Sequence, residues 1–152
     1  MTTALTGHCQ CGAIGYQLTA EPLFTYACHC GSCQKRTGSA FSMGLVVLTD
    51  SLQVEGELTA WSRSSDKGVT NTRYSCADCG NIIYGIGEST AAFAKLQAGT
   101  LDDTSAVQPE VHIWTQNKQH WLILPERVPQ FETQPAELSA LPQPALDYRA
   151  GG

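Results

Sequence analysis

"ACHCGSCQKRTGSAF", residues 27–41, sets three cysteines and a histidine within six positions, Cys28 to Cys33. Thiolates favour Zn²⁺, and structural zinc sites close with four protein ligands in a tetrahedron. Three thiols in one loop are one donor short. What completes that set, and where the other cysteines go, determines how the chain is tied together.

Four cysteines lie outside the loop. "CADCG" (76–80) is a C-x-x-C knuckle, in which Gly80 can take the positive φ that such turns need. "CQCG" (9–12) is a C-x-C; on an extended segment residues two apart point to one side, so Cys9 and Cys11 can act as a pair. Two partitions follow from spacing. Cys30 and Cys33 can join Cys76 and Cys79 in a zinc ribbon, which strands Cys9, Cys11 and Cys28. Alternatively Cys9, Cys11, Cys76 and Cys79 close one site, and Cys28, Cys30 and Cys33 form a local three-ligand set. The second is more economical, but spacing leaves both open.

Bulk properties narrow the function class. The chain has 152 residues, 42% hydrophobic and 15% charged, enough for one domain with one core. A net charge of −5 and no basic cluster longer than Lys35–Arg36 argue against nucleic acid as a partner. No apolar run approaches the roughly 18 residues of a membrane span. The opening "MTTALTGHCQCG" lacks the basic and apolar regions of a secretory signal, so the expected location is the cytoplasm. There, seven cysteines, an odd number, point to metal or redox chemistry rather than a disulfide framework.

Periodicity reads as short strands: 13–20, 41–49, 51–56, 58–64, 69–76 and 81–87, then 110–115 and 120–125 as a hairpin turned by "QNKQ" (116–119). Helix signals are confined to 31–38 and 136–141. This predicts a mainly β fold of packed antiparallel sheets. From Glu132 to Gly152 the composition shifts to Pro, Gln and Ala, which reads as a Pro-rich tail after a domain at 1–131. The alternative is an arm that docks on another subunit through Leu138, Leu141 and Leu146, making a homodimer.

Taken together, "GHCQCGAIGY", "ACHCGSCQKRTGSAF", "RYSCADCGNIIYG" and "HIWTQNKQHWLIL" resemble the glutathione-dependent formaldehyde-activating enzyme family, which includes the centromere protein V group. The resemblance covers about residues 7–131 and all seven cysteines in order. It implies a zinc-containing β-tent-type fold with two zinc ions per chain. Cys9, Cys11, Cys76 and Cys79 match the structural site, and Cys28, Cys30 and Cys33 the catalytic one. The activity implied is a carbon–sulfur lyase joining glutathione and formaldehyde.

A zinc held by three thiolates is a poor Lewis acid for water, and its natural fourth ligand is a soft donor such as a small-molecule thiol. Lys35 and Arg36 follow the loop and are candidates to meet a substrate carboxylate, or simply two solvated charges. His29, between two ligands, should point away from the metal, with a structural hydrogen bond as the first reading and proton transfer as the next. His8 has the same ambiguity, and His112 reads as a satisfied strand histidine. Trp114, Trp121 and Phe131 read as core, with pocket lining as the alternative. Two other function classes compete with the lyase: a zinc-stabilised binding module, and a redox sensor in which the three central thiols release metal on oxidation.

Overall fold

The computed structural model describes residues 4–66 and 68–135. The described residues form ten strands in two sheets and one α-helix of seven residues, a mainly β fold, as expected. They divide into two compact units: the residues up to Pro22 with Leu45–Ala106, and Leu23–Gly44 with the residues from Val107 on.

In the first unit, β1 (Thr6–His8), β2 (Gly15–Leu18) and β5 (Leu52–Glu55) pair antiparallel in the order β1-β2-β5. The register sets Tyr16 opposite Gly7 on one side and Val54 on the other. Alternation buries Tyr16 and Leu18, as the period-2 pattern requires. A second antiparallel run joins β6 (Leu58–Ser64), β7 (Thr70–Cys76), β8 (Ile82–Gly87) and β9 (Phe93–Gln97). Ile14, Leu45, Val47, Ile83, Ala94 and Leu96 are fully buried in this unit. Each large aliphatic among them contributes about 1.5–3 kcal/mol of transfer free energy. A register shift at Tyr74/Ser75 precedes Cys76, so the strand carrying that ligand candidate bends as it ends.

In the second unit, β3 (Phe24–Cys28) and β10 (Val111–Ile113) pair in parallel, with Cys28 opposite Ile113. Helix α1 (Gly31–Thr37) follows β3 after two residues. The strand β4 (Ser42–Leu48) starts in this unit and ends in the first.

The expected hairpin over 110–125 does not form. After β10 the chain turns at Trp114, whose φ of 58° is left-handed, and continues as a 3-10 turn at Thr115–Asn117. The outer edge of β10 is taken by residues 129–131: the His112 N–H donates to the Pro129 carbonyl at 2.9 Å and the Phe131 N–H to the His112 carbonyl at 2.9 Å. Residues 120–125 carry no strand, and Trp121 and Ile123 are 61% and 91% exposed, so Trp121 is not core. An apolar run predicts a strand only if a partner edge is free, and here a later segment occupies it. The sequence reading also missed β1, β3 and β9. The expected helix at 136–141 and the leucines of the tail lie outside the described residues.

Candidate metal centres

The thiols of Cys9, Cys11, Cys76 and Cys79 converge in the first unit, all within 4.8 Å of one another. Two turns deliver them. In one, the Gly12 N–H donates to the Cys9 carbonyl at 3.0 Å, with Gly12 at φ 83°. In the other, the Gly80 N–H donates to the Cys76 carbonyl at 2.9 Å, with Gly80 at φ 74°. Both glycines sit where an L side chain is strained. Cys9 and Cys11 therefore share a tight turn rather than the extended segment expected. Asn81 ties the two turns together, its side-chain oxygen accepting from the Gln10 N–H at 3.1 Å.

Sulfur–sulfur distances of 3.5 Å (Cys9–Cys11) and 3.7 Å (Cys11–Cys76) are far from a disulfide, and all seven cysteines are free. Zinc–sulfur bonds of about 2.3 Å in a tetrahedron hold sulfurs about 3.8 Å apart. Crowding also separates the thiols electrostatically. Burial raises Cys9, but the Ile14 N–H and the three neighbouring thiols outweigh it and bring it to about 6. The Ala13 N–H lowers Cys11, yet Cys9, burial and the other thiols push it up to about 12. Four thiolates this close need a cation among them. The donor set fits a four-coordinate thiophilic metal.

Cys28, Cys30 and Cys33 form the other set, again with sulfurs within 4.8 Å of one another. Cys28 ends β3 and is buried; Cys30 caps α1, its sulfur accepting from the Cys33 N–H at 3.3 Å; Cys33 lies in the first turn. Contact with Cys28, then the Arg36 charge, brings Cys33 down to about 5 against the opposing effect of burial. The same contact with Cys33, together with burial, pushes Cys28 up. This set, too, fits a metal, with three donors. Neither ring nitrogen of His29 nor any other described His, Cys, Asp or Glu completes it.

His29 is fully buried and points into the protein instead. Its Nε2 lies 2.9 Å from Nδ1 of His112, its ring packs on Phe41 at 5.2 Å, and its Nδ1 has no hydrogen-bond partner. Burial, then the charges of His112 and Lys118, push it down to about 4, and burial lowers His112. Both rings are neutral at pH 7. The structural hydrogen bond expected of His29 and the satisfied strand histidine expected of His112 are one contact. Gln34 fastens the loop further, donating to the His29 carbonyl at 2.7 Å and the Asn117 carbonyl at 2.9 Å.

The two basic residues separate. Lys35 is exposed, whereas Arg36 turns back along the helix, its Nη2 reaching Ser42 Oγ at 2.5 Å and Cys33 Sγ at 3.9 Å. His8 lies on the surface, paired to Asp102 at 2.8 Å, with Thr6 donating to the same carboxylate at 2.7 Å. Trp114 and Phe131 are half-buried. The Asn81 tie and the Gln34 anchor had no sequence signal. For Arg36 the signal was present, since residues three apart on a helix share a face.

Fold and thiol sets define a class: a mainly β protein with two cysteine clusters competent to bind metal. More narrowly, the chain belongs to the glutathione-dependent formaldehyde-activating enzyme family, whose model matches residues 4–117. It is 36% identical over 78 residues to a protein of Emericella nidulans provisionally named a glutathione-dependent formaldehyde-activating enzyme, covering 51% of this chain and 39% of that protein. It is 34% identical over 89 residues to a Penicillium rubens protein with the same provisional name, covering 59% and 46%. The matches thus span less than half the length of these curated relatives. A Rhodobacter sphaeroides protein solved as a structural-genomics target shares the fold, with a TM-score of 0.51 and 19% identity over 64% of this chain and 87% of that one. Among the described residues no helix is long and apolar enough to cross a membrane.

Proposed function

We propose that the chain is a zinc-dependent carbon–sulfur lyase acting on adducts of a small thiol, glutathione, with formaldehyde or a related aldehyde. In this reading Cys9, Cys11, Cys76 and Cys79 hold a structural zinc, and Cys28, Cys30 and Cys33 a catalytic one, two ions per chain. The proposed domain is residues 1–131, with 132–152 as its tail, and its place is the cytoplasm. The observation that carries the reading is the unequal donor number: one set has four sulfurs, the other stops at three. A zinc held by Cys28, Cys30 and Cys33 would have room for an added thiol, whose pKa it would lower from about 8.5, making the sulfur a nucleophile.

The chain's own residues prepare that position. The Cys30 cap and the Gln34 anchor hold the loop against the start of α1. The neutral His29–His112 pair adds no charge of its own beside the thiols. In the reaction the thiol sulfur bonds to the aldehyde carbon, the carbonyl π pair moves to oxygen, and that oxygen takes the proton the thiol released. The reverse is carbon–sulfur cleavage.

Metal content per chain, small-thiol binding and adduct turnover, measured on wild type beside a C28A/C30A/C33A variant, test the reading. Two zincs falling to one, with thiol binding and turnover lost and the fold retained, is the expected result. One zinc in both proteins with no response to thiol would overturn it in favour of a non-catalytic zinc-stabilised module.

A further inference from the structure

Helix α1 turns one of its two cations inward. The Arg36 guanidinium is held at Ser42 Oγ, a hydroxyl 1% exposed at the start of β4, and its Nη2 lies 3.9 Å from Cys33 Sγ. Cys33 and Arg36 are three apart, so the contact is built into the helix, and Ser42 selects it over a solvated orientation. Spending a rotamer-rich cation and a buried hydroxyl on a thiol is unusual unless that thiol carries negative charge.

Three thiolates around a dication leave one net negative charge, and a thiolate arriving as fourth donor adds a second. Building up anionic charge is unfavourable unless a fixed cation lies beside it, and guanidinium, which does not deprotonate, is suited to that. We propose that Arg36, positioned by Ser42, is the counter-charge that lets the three-thiol centre accept an anionic sulfur donor. The assignment rests on the lyase reading above. Arg36 is a positioning residue acting through Cys33, and it is not the partner of a substrate carboxylate; exposed Lys35 is the cation of this helix left facing solvent.

The test uses zinc-loaded full-length protein, with wild type, R36Q, R36K and S42A compared by calorimetry against three probes. Glutathione carries carboxylates, 2-mercaptoethanol offers a thiol without them, and imidazole is a neutral fourth donor. R36Q should weaken both thiols about 10- to 100-fold, as expected for losing a charge-assisted contact, and leave imidazole unchanged. R36K should recover part of the loss, and S42A should lie between R36K and wild type. Equal weakening of all three probes would mean a merely structural role, and weakening of glutathione alone would mean a carboxylate contact; either overturns the assignment, as does unchanged thiol affinity in R36Q. Zinc content and circular dichroism of each variant confirm that the central set is loaded and folded. If the C28A/C30A/C33A protein still binds 2-mercaptoethanol like wild type, the lyase reading itself fails; if only R36Q is silent, the counter-charge alone fails.

Discussion

The two thiol sets use the same chemistry in opposite ways. The four-sulfur set joins Cys11 to Cys76 across 65 positions of the chain and has two exposed members, Cys11 and Cys79. The three-sulfur set comes from the end of β3, the short loop after it and the first turn of α1. A long-range set is a cross-link: closing so long a loop costs chain entropy that metal binding must offset. A local set closes almost nothing. In the proposed reading it can remain a donor short, since the Cys30 cap and the Gln34 anchor also fasten the loop. By the same reading, distance along the chain separates a clip from a site.

That contrast can be broken most severely at the clip. Cys76→Ser should remove one metal and cost folding free energy on the order of several kcal/mol, given the roughly 10 kcal/mol that structural zinc supplies. Thermal unfolding followed by circular dichroism, alongside metal content, reads this. A melt unchanged from wild type after loss of one metal would show that the four-sulfur set is no clip. The same comparison predicts that losing the central metal leaves the melt close to wild type.

A smaller effect is expected at the loop. His112→Phe deprives His29 Nε2 of its buried partner, and Nδ1 has none to compensate. The expected loss is about 1–3 kcal/mol of stability. Because His29 lies between two ligand candidates, central-metal affinity should also fall, by about 10- to 100-fold, as when an outer support of a metal site is removed. Competition with a chromophoric chelator measures the second quantity. Affinity equal to wild type would mean that the loop keeps its shape without the histidine pair.

The smallest effect belongs to the tie between the two turns of the clip. Asn81→Ala deletes the hydrogen bond from the Gln10 N–H at 3.1 Å and a longer one to the Ile82 carbonyl at 3.5 Å, at a partly exposed position. A loss of about 0.5–1.5 kcal/mol in denaturant unfolding, with both metals retained, is expected. A larger loss accompanied by metal release would promote Asn81 from a brace to part of the clip.

Much of the molecule was legible before any coordinates. Strands β2, β4, β5, β6, β7 and β8 fall where alternation or β-branched runs predicted them, and α1 spans seven of the eight residues expected. Gly80 takes the positive φ read from its place after a C-x-x-C. These features depend on neighbours within a few residues. The errors share the opposite cause. Residues 120–125 look like a strand, but the edge they needed belongs to 129–131, and Trp114 turns the chain away before it can return. β9 was overlooked because Phe93, Lys95 and Gln97 are polar or only half-buried on one side, while Ala94 and Leu96 supply just two fully buried positions.

By itself the sequence determined the donor chemistry: seven thiols in groups of two, three and two, with glycines after the C-x-C and the last C-x-x-C that suit ligand knuckles. Local spacing encodes such things because bond geometry and backbone preference act over a handful of residues. Only tertiary structure decided that Cys9 and Cys11 meet Cys76 and Cys79, that His29 bonds His112, and that Arg36 faces Cys33 while Lys35 faces water. Those outcomes depend on strand register and on which buried hydroxyl or ring happens to be opposite, and long-range packing alone sets that.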